Sequence, residues 1–215
     1  MHRIKTLSVW MEDRRVGTLA ETPEHLAAFE YDGEWLTDGF SISPSSMDAP
    51  DIREQEYRYS LCAKSCGIEM PETRLLSSKN CPGYFSVRCF DRRAGKRIHM
   101  ASAGGLLETS HRIPNLDYTI LMRLTMKLMG DYTEVERLYR LMCFNVFAHN
   151  RDDHSKNFSY LYEDGRWRLS PAYDLTYSNS IDGEHATTVN GNGRDPGLSD
   201  LLAVAIISSE RKTLI

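Results

Sequence analysis

Two amphipathic helical segments separated by a glycine constrain the fold of this chain more than any other feature. The stretch LDYTILMRLTMKLMG ends at Gly130 and carries apolar residues on one side, at Leu116, Ile120, Leu121, Leu124 and Leu128. A second helix is predicted to begin at the T-x-x-E pattern of Thr133 and Glu136, which is typical of a capping box. Its apolar face contains Val135, Leu138, Tyr139, Met142 and Val146. The sequence therefore predicts a helical region from residue 116 onward.

The rest of the chain alternates β-rich and helical patterns. The stretch FSYLYEDGRWRLS predicts a hairpin that turns at Asp164-Gly165. Near the N-terminus, the runs IKTLSVWM, RRVGTLAE and HLAAFEY predict a β-meander. The Pro/Ser-rich stretch SPSSMDAPD indicates a boundary, after which Asp48 and Pro50 open a helix that Gly67 closes. Two strands, TRLLSS and GYFSVRCF, follow that helix.

We therefore predict an α+β protein built from three units. Residues 1–47 form a β-rich N-terminal subdomain, residues 48–115 a second mixed unit, and residues 116–215 a helical unit. A chain of 215 residues with 41% apolar content can bury a sizeable core.

Charge and composition exclude several broad function classes. The net charge of −4 argues against an extended nucleic-acid surface, and the basic cluster Arg92-Arg93 with Lys96-Arg97 is interpreted as a solvated loop. The chain has no apolar run long enough to span a bilayer and no signal-peptide core, so we expect a cytoplasmic protein. Its five cysteines are interpreted as reduced thiols.

The densest group of polar residues, HNRDDHSKN, lies between the second helix and the hairpin. Asp152 and Asn157 have the D-x-x-x-x-N spacing of a protein-kinase catalytic loop, and Asp174 follows the hairpin, where a kinase carries its metal-binding acid. Phosphoryl transfer to a hydroxyl needs a carboxylate that orients the attacking oxygen and accepts its proton. It also needs hard oxygen ligands for Mg²⁺, and Lys156 could neutralise the moving charge.

Two other interpretations of this segment remain open. One is a structural turn rich in helix-capping Asp and Asn. The other is a metallohydrolase site built from His149, Asp152, Asp153 and His154, with His111 and His185 as further donors. Separately, Cys62 and Cys66 are spaced to share a zinc ion on one helix face, but no second ligand pair accompanies them.

Several motifs together resemble a known family. The loop NRDDHSKN has the D-x-H-x-K-N pattern, the segment LSPAYD follows the hairpin, and SVRCFDRR is similar to a nucleotide-binding hinge strand. These motifs resemble the HipA-type serine/threonine kinases, the toxin components of bacterial toxin–antitoxin modules. EHATTVNGNGR and the N-terminal LSVWMEDRRVGTLAE resemble further parts of that family. The resemblance covers most of the chain and implies a protein-kinase-like fold that uses ATP and Mg²⁺, with 48–115 as a partial N-lobe and hinge and 116–215 as the C-lobe.

The resemblance also implies roles for individual residues. Asp152 resembles the catalytic base, Asn157 and Asp174 resemble the Mg²⁺ ligands, and His154 and Lys156 belong to the same loop, His154 as its organiser. The backbone of Arg88, Cys89 and Phe90 would bind adenine, with Asp91 near the ribose. Glu56 matches the acidic residue that pairs with the nucleotide-binding lysine.

One departure from the family bears on activity. The glycine-rich phosphate loop and strand lysine that precede this helix in the family are missing, and no lysine occurs between Lys5 and Lys64. Either the chain is a relative that has lost this segment, or the sequence joins two stretches that this segment separates in the intact protein. If the loss is real, we expect weak activity or none.

The resemblance further implies partners and a biological role. A small DNA-binding antitoxin is the expected protein partner, and an aminoacyl-tRNA synthetase is the expected substrate, whose phosphorylation would inhibit translation. Direct nucleic-acid binding by this acidic chain is not expected. The alternative function is a catalytically inactive kinase-like module that still binds an antitoxin or another partner.

Overall fold

The computed structural model describes residues 6–11, 13–21, 27–34, 40–42, 52–77, 83–109, 116–179 and 183–209. Helices and short, mostly antiparallel strands alternate along the chain, so the predicted α+β class is confirmed. Cys81 and His111, and the proposed helix-opening residues Asp48 and Pro50, lie outside the described residues.

The predicted N-terminal meander is present as an antiparallel sheet. Its strands, in spatial order, are β1 (Thr6–Met11), β2 (Arg14–Glu21) and β3 (Ala27–Tyr31). The register shifts between Val9 and Trp10, as expected for a β-bulge. Val16 is fully buried, whereas Leu7 and Trp10 are exposed.

The second unit packs one helix against a small sheet. The elements are β4 (Phe40–Ile42), α1 (Ile52–Ser65), β5 (Thr73–Leu76) and β6 (Tyr84–Arg88). The strand order is β4-β6-β5, so β4 joins this sheet although it falls within the predicted 1–47 subdomain. The boundaries at 47 and 115 stay predictions, because residues 43–51 and 110–115 lie outside the described ranges.

The interface between α1 and the sheet contains buried polar contacts. The Ser60 hydroxyl is buried and lies 2.9 Å from the Thr73 hydroxyl, to which Lys64 Nζ also donates at 2.7 Å. The helix ends as predicted at Gly67, whose φ of +73° favours glycine. Ala63 is the buried apolar residue of this helix.

Two hairpins follow the second unit. The strands are β7 (Arg92–Arg93), β8 (Lys96–Arg97), β9 (His99–Ser102), β11 (Ser159–Glu163) and β12 (Arg166–Leu169). The basic cluster is largely solvent-exposed, as predicted, but it forms the β7–β8 ribbon rather than a loop, with Ala94 and Gly95 at the positive φ angles of a tight turn. The predicted hairpin at Asp164-Gly165 is confirmed, and β9 pairs with β11 as an unpredicted third strand.

The helical region contains α3 (Tyr118–Met129), α4 (Tyr132–Phe147) and α5 (Leu198–Ser209). The short α2 (Ala103–Leu106) precedes it, and the short parallel strands β10 (Leu116–Asp117) and β13 (Thr187–Thr188) connect its two ends. Helix α3 ends as predicted at Gly130, with φ +64°. The predicted capping box at Thr133 was wrong, because Asp131 caps α4 by accepting from the Thr133 amide.

The apolar face of α4 is confirmed, but that of α3 is shifted. Leu116 is buried in β10 rather than in the helix, and Ile120 is 38% exposed. The buried face of α3 instead contains Tyr118, Leu121, Met122 and Thr125. Of the predicted residues, Leu121 is fully buried, and Leu124 and Leu128 are partly buried against the core. The prediction missed Tyr118 and Thr125 because it counted only apolar residues, whereas these two are buried with their hydroxyls hydrogen-bonded.

The main core lies between these helices and the β11–β12 hairpin. Its fully buried large side chains include Tyr118, Leu121, Leu138, Met142, Phe158, Tyr160, Leu201 and Val204. Tyr118 and Phe158 pack edge to face, with ring centroids 5.5 Å apart. This core holds the C-terminal end of α4 against the hairpin, and the polar segment 149–157 connects the two. None of the helices in the described ranges is long and apolar enough to cross a membrane.

Candidate active site

The polar segment is held between α4, the hairpin and α2. We call residues 151–157 the catalytic loop. The first amides of α2 donate to this loop and to the residue after it, from Gly104 N to Ser155 O at 3.0 Å and from Ala103 N to Phe158 O at 2.8 Å. A Cβ on Gly104 would lie 2.8 Å from Ser155 Oγ, so a glycine is needed for this close approach.

Asp152 and Asn157 are joined across the loop. The Asn157 side-chain amide donates to the Asp152 carbonyl at 2.9 Å, and the Asn157 backbone amide donates to His154 O at 2.9 Å. The Asp152 carboxylate is exposed, with its Oδ1 4.0 Å from His154 Nε2. Partial burial raises the pKa of Asp152, the charges of Asp174 and Asp153 raise it further, and His154 opposes them. The loop thus presents a carboxylate of increased basicity, as a proton acceptor requires.

Asp174 adopts a left-handed backbone conformation, with φ +57°. This region is uncommon for a residue with a side chain and often marks a functional site. The preceding residue, Tyr173, fixes this point of the chain: its hydroxyl donates to Lys156 O at 2.5 Å and contacts Ser159 Oγ at 2.6 Å. Asp174 is exposed, and its charge acts on both Asp152 and Glu56.

Glu56 on α1 is the predicted acidic partner of a nucleotide-binding lysine. Burial raises the pKa of Glu56 to about 7, and the charge of Asp174 raises it too, while Arg53 opposes them. Glu56 Oε2 is buried and has no hydrogen-bond partner among the described residues. A buried carboxylate oxygen in this state is costly when it is ionised, in keeping with the raised pKa of Glu56.

We call Arg88–Asp91 the hinge segment. The Arg88 side chain is held by Glu72, with Nε 3.1 Å from Oε2, and the Asp91 carboxylate forms a close ion pair with Arg92. Phe90 packs against Tyr173 with ring centroids 5.4 Å apart, which joins the hinge to the residue before Asp174. Burial raises the pKa of the Cys89 thiol, as does the charge of Asp91, against the opposing effect of Arg92.

The structure therefore brings most of the predicted site residues to one region. The chain places Asp152 and Asn157 in one loop, brings Asp174 and Glu56 within electrostatic range, and connects Phe90 to them through Tyr173. Lys156 is exposed, and its carbonyl takes part in the Tyr173 contact. The Arg88 and Asp91 side chains are engaged by neighbouring charges. Each assigned role stays a prediction.

The residues of the metallohydrolase interpretation do not converge on a metal site. Asp153 and His185 meet at 3.0 Å, but they form a fully buried pair away from solvent. Within the described ranges, no three His, Cys, Asp or Glu side chains are grouped so that they could hold a metal. Cys62, on α1, and Cys66, directly after it, are exposed free thiols.

The oxygen donors near the loop fit Mg²⁺ when nucleotide phosphates complete its coordination. Because Asn157 uses its amide nitrogen on Asp152 O, its amide oxygen is the atom left for a cation. Asp174 adds an exposed carboxylate. Carboxylate and amide oxygens are the ligands that Mg²⁺ prefers, with one or two from the protein and the rest from phosphates and water.

Sequence reasoning missed the residues that support the site. Tyr173 lies directly before Asp174 and could have been found from that position alone. Tyr118 could not, because it donates to Asp153 Oδ2 across 35 positions, at 2.8 Å, and only the fold brings the two together. Asp153 and His185 were considered as metal ligands rather than as a supporting pair.

The chain is similar to several known proteins. It is 25% identical over 174 residues to "Putative kinase Y4dM" of Sinorhizobium fredii, an alignment that covers 74% of this chain and 41% of that protein. The fold matches HipA of Shewanella oneidensis, solved with HipB and operator DNA, with a TM-score of 0.62 at 14% identity over 97% of this chain and 55% of that one. It also matches the Helicobacter pylori proinflammatory kinase CtkA, with a TM-score of 0.54 at 11% identity over 91% of this chain and 78% of that one.

The chain thus spans about half the length of Y4dM and of HipA from Shewanella. The structural matches confirm the predicted kinase-like fold. The model of the HipA-like C-terminal domain matches residues 27–213, which is most of the chain. The protein therefore belongs to the HipA-like C-terminal domain family.

Proposed function

We propose that this chain is a serine/threonine protein kinase module that transfers the γ-phosphoryl group of ATP with the help of Mg²⁺. The observation that carries the proposal is the left-handed Asp174 placed within electrostatic range of Asp152, in a loop that Asn157 closes. Kinase-like relatives support the reaction class. The serine/threonine specificity is drawn from the family resemblance alone.

Each residue of the loop has a role that fits its environment. Asp152 orients the attacking hydroxyl and accepts its proton, a task for which its raised pKa suits it. Asn157 and Asp174 would hold Mg²⁺, which neutralises phosphate charge when it is bound. Lys156 acts on the charge of the transferred group, and His154 organises the loop. The hinge backbone at Arg88–Phe90 would hold adenine, with Asp91 towards the ribose.

The proposed rate is low because one electrostatic element is missing. The missing element is a lysine that would contact the phosphates, because the sequence has no lysine between Lys5 and Lys64. Lys64, on α1, donates to Thr73. Preorganised positive charge on the phosphates is a major source of catalysis in phosphoryl transfer. We therefore expect transfer that is slower by orders of magnitude than in kinases that retain this lysine.

We further propose that the module acts in a toxin–antitoxin system within the cytoplasm. The family supports this role, and the Shewanella relative is solved with HipB and operator DNA. A small DNA-binding antitoxin is the proposed partner, and an aminoacyl-tRNA synthetase is the proposed substrate, whose phosphorylation would inhibit translation. The net charge of −4 does not favour direct nucleic-acid binding.

A phosphotransfer assay with labelled ATP and Mg²⁺ tests the proposal. We expect slow transfer by the purified chain, to itself or to a Ser/Thr protein substrate, and none by Asp152→Ala. Asp13→Ala, which removes an exposed carboxylate in the β1–β2 turn, is the matched control and should keep the wild-type rate. Equal transfer by the wild type and Asp152→Ala would sink the assignment of Asp152.

A second candidate function is a catalytically inactive kinase-like module that binds a partner protein. The buried Glu56 oxygen without a described partner favours it, because a complete nucleotide site would supply a cation there. This candidate predicts no transfer by the wild type under any metal condition. It also predicts unchanged binding of the antitoxin by Asp152→Ala.

A further inference from the structure

Next to the exposed Asp152, the side chain of Asp153 is completely buried. Three donors from distant parts of the chain converge on its carboxylate. Tyr118 Oη lies 2.8 Å and His185 Nδ1 3.0 Å from Oδ2, and the Thr187 amide lies 3.2 Å from Oδ1. The Thr187 hydroxyl also donates to the Asp153 carbonyl, at 2.5 Å. A buried carboxylate is costly unless it is saturated with donors in this way.

These contacts favour defined hydrogen-bond roles for the neighbouring groups. A carboxylate oxygen accepts from a ring N–H, so the tautomer that suits this contact carries a proton on His185 Nδ1. Burial and the charge of Asp153 raise the pKa of Tyr118 well above its usual value, so its hydroxyl remains a donor. The Asp153 carboxylate therefore accepts from both the Tyr118 hydroxyl and the His185 ring.

The pair is part of a longer buried chain of hydrogen bonds. The Asn145 side chain donates to the Tyr118 hydroxyl at 2.9 Å, and Asn150 donates to Asn145 Oδ1 at 3.0 Å. The chain ends with Asp153 and His185, and each of its five residues is at most 3% exposed. It connects α3, α4, the start of the catalytic loop and the segment before β13.

The segment before β13 also lies along the loop backbone. The Ala186 amide donates to the Arg151 carbonyl at 3.1 Å, one residue before Asp152. His185 and Thr187 hold the carboxylate one residue after it. Residues 185–187 thus bond to the residues directly before and after Asp152, and these bonds hold the backbone of Asp152 in place.

We propose that the buried Asp153–His185 pair is a positioning device that holds the catalytic loop so that Asp152 and Asn157 keep their mutual arrangement. The inference deepens the proposed function and rests on it for the identity of the metal site. His185 acts through Asp153 and touches neither substrate nor metal. Because Asn157 donates to the Asp152 carbonyl, a loop released from the pair loses the alignment of both residues.

Three variants separate positioning from a general contribution to stability. His185→Ala removes the donor, and His185→Asn restores an N–H near the same place. Tyr160→Phe is the matched control, because Tyr160 is equally buried and its hydroxyl bonds to Thr125 at 3.0 Å, away from the loop. Thr125 keeps its bond to Leu121 O, so this control loses one buried hydrogen bond and leaves no donor without an acceptor.

The measurements are Mn²⁺ affinity, amide hydrogen exchange of Asn157 and Thr187, and kcat and KM where transfer is detected. We expect His185→Ala to weaken Mn²⁺ binding about tenfold, to speed exchange at both amides and to lower kcat more than the KM for ATP. His185→Asn should recover most of each loss. Tyr160→Phe should change none of them, although its unfolding midpoint falls.

If His185→Ala lowers only the unfolding midpoint, as Tyr160→Phe does, the positioning role is overturned. A wild type that neither binds Mn²⁺ nor transfers phosphate refutes the proposed function, and hydrogen exchange then tests the pair by itself. In that case faster exchange at Asn157 and Thr187 in His185→Ala, with rescue by His185→Asn, still supports positioning, and unchanged exchange overturns it.

Discussion

The loop side and the α1 side of the candidate site are built very differently. On the catalytic-loop side, the charge of Asp153 is saturated by donors from Tyr118, His185 and Thr187. On the α1 side, Glu56 has a buried oxygen with no partner among the described residues, and the fully buried Ser86 hydroxyl is in the same state. Among the described residues, the buried carboxylate on the loop side thus has its hydrogen-bond partners, whereas the one on the α1 side lacks a partner at Oε2.

This contrast bears on what the protein can do. Buried polar groups stabilise a single arrangement only when all of them are satisfied. The buried carboxylate of Asp153 meets that condition, although Arg151 Nε and Ser155 Oγ of the same loop are buried without a hydrogen-bond partner among the described residues. The α1 side does not, so a cation or a partner that reaches Glu56 would gain binding energy there. The following predictions test the contrast from its largest expected effect to its smallest.

Replacement of the buried aspartate should have the largest effect on stability. We expect Asp153→Ala to lower the free energy of unfolding by about 3 kcal/mol, because it leaves the donors of Tyr118 and His185 without an acceptor. Asp152→Ala, one position away and exposed, should change it by less than about 0.5 kcal/mol. Chemical denaturation of both variants measures the difference, and equal losses would show that the loop is not anchored through Asp153.

Removal of the Tyr173 hydroxyl should lower the free energy of unfolding by less than Asp153→Ala does. Tyr173→Phe removes its bonds to Lys156 O and Ser159 Oγ, at an expected loss of about 1.5 kcal/mol. Tyr162→Phe, which changes a partly exposed tyrosine on β11, is the matched control and should be nearly neutral. Thermal unfolding compares them, and a neutral Tyr173→Phe would mean that Asp174 is held by other contacts.

Much of this contrast could not be predicted from the sequence. The positions of Asp152, Asn157 and Asp174 follow from local spacing, and the helices and the β11–β12 hairpin follow from periodicity and turn residues. The support of the loop depends on pairs such as Tyr118 with Asp153 and Asp153 with His185, which are more than 30 positions apart. The strand β9 was missed because HMAS carries no alternation, and its pairing with β11 is decided by tertiary contacts.

On the α1 side, the raised pKa of Glu56 should make the free energy of unfolding depend on pH. Its pKa of about 7 in the folded protein lies above the ordinary value of 4.5, so its contribution is complete below pH 4.5 and is lost as the pH rises through 7. In chelator-treated protein, we expect Glu56→Gln to be more stable than the wild type at pH 8, by about 1 kcal/mol after allowance for solvent screening. At pH 4 the two should be alike.

Unfolding curves at pH 4 and pH 8 provide this test. A wild type that loses no stability relative to Glu56→Gln between these pH values would show that Glu56 has a cation or donor after all. Asp13→Asn, which changes an exposed carboxylate on the N-terminal sheet, serves as the control for general charge effects.

The smallest effect is expected for the buried serine of β6. Ser86→Ala should change the free energy of unfolding by no more than about 0.5 kcal/mol, or raise it, because the hydroxyl has no partner among the described residues. Ser60→Ala, on α1, removes bonds to Tyr57 O and Thr73 and should cost about 1 kcal/mol. A larger loss of stability in Ser86→Ala than in Ser60→Ala would mean that the Ser86 hydroxyl does have a hydrogen-bond partner.

The central proposal is that Asn157 and Asp174 form a working divalent-cation site although Glu56 Oε2 on the α1 side has no partner among the described residues. Titration of the purified protein with Mn²⁺, followed by electron paramagnetic resonance, tests it most directly. We predict one saturable site in the wild type that weakens by at least about tenfold in Asp174→Asn and in Asn157→Ala. The Mn²⁺ affinity should be unchanged in Glu136→Gln, which replaces an exposed carboxylate of α4 that pairs with Arg140. Binding in Asp174→Asn equal to that of the wild type would contradict the account.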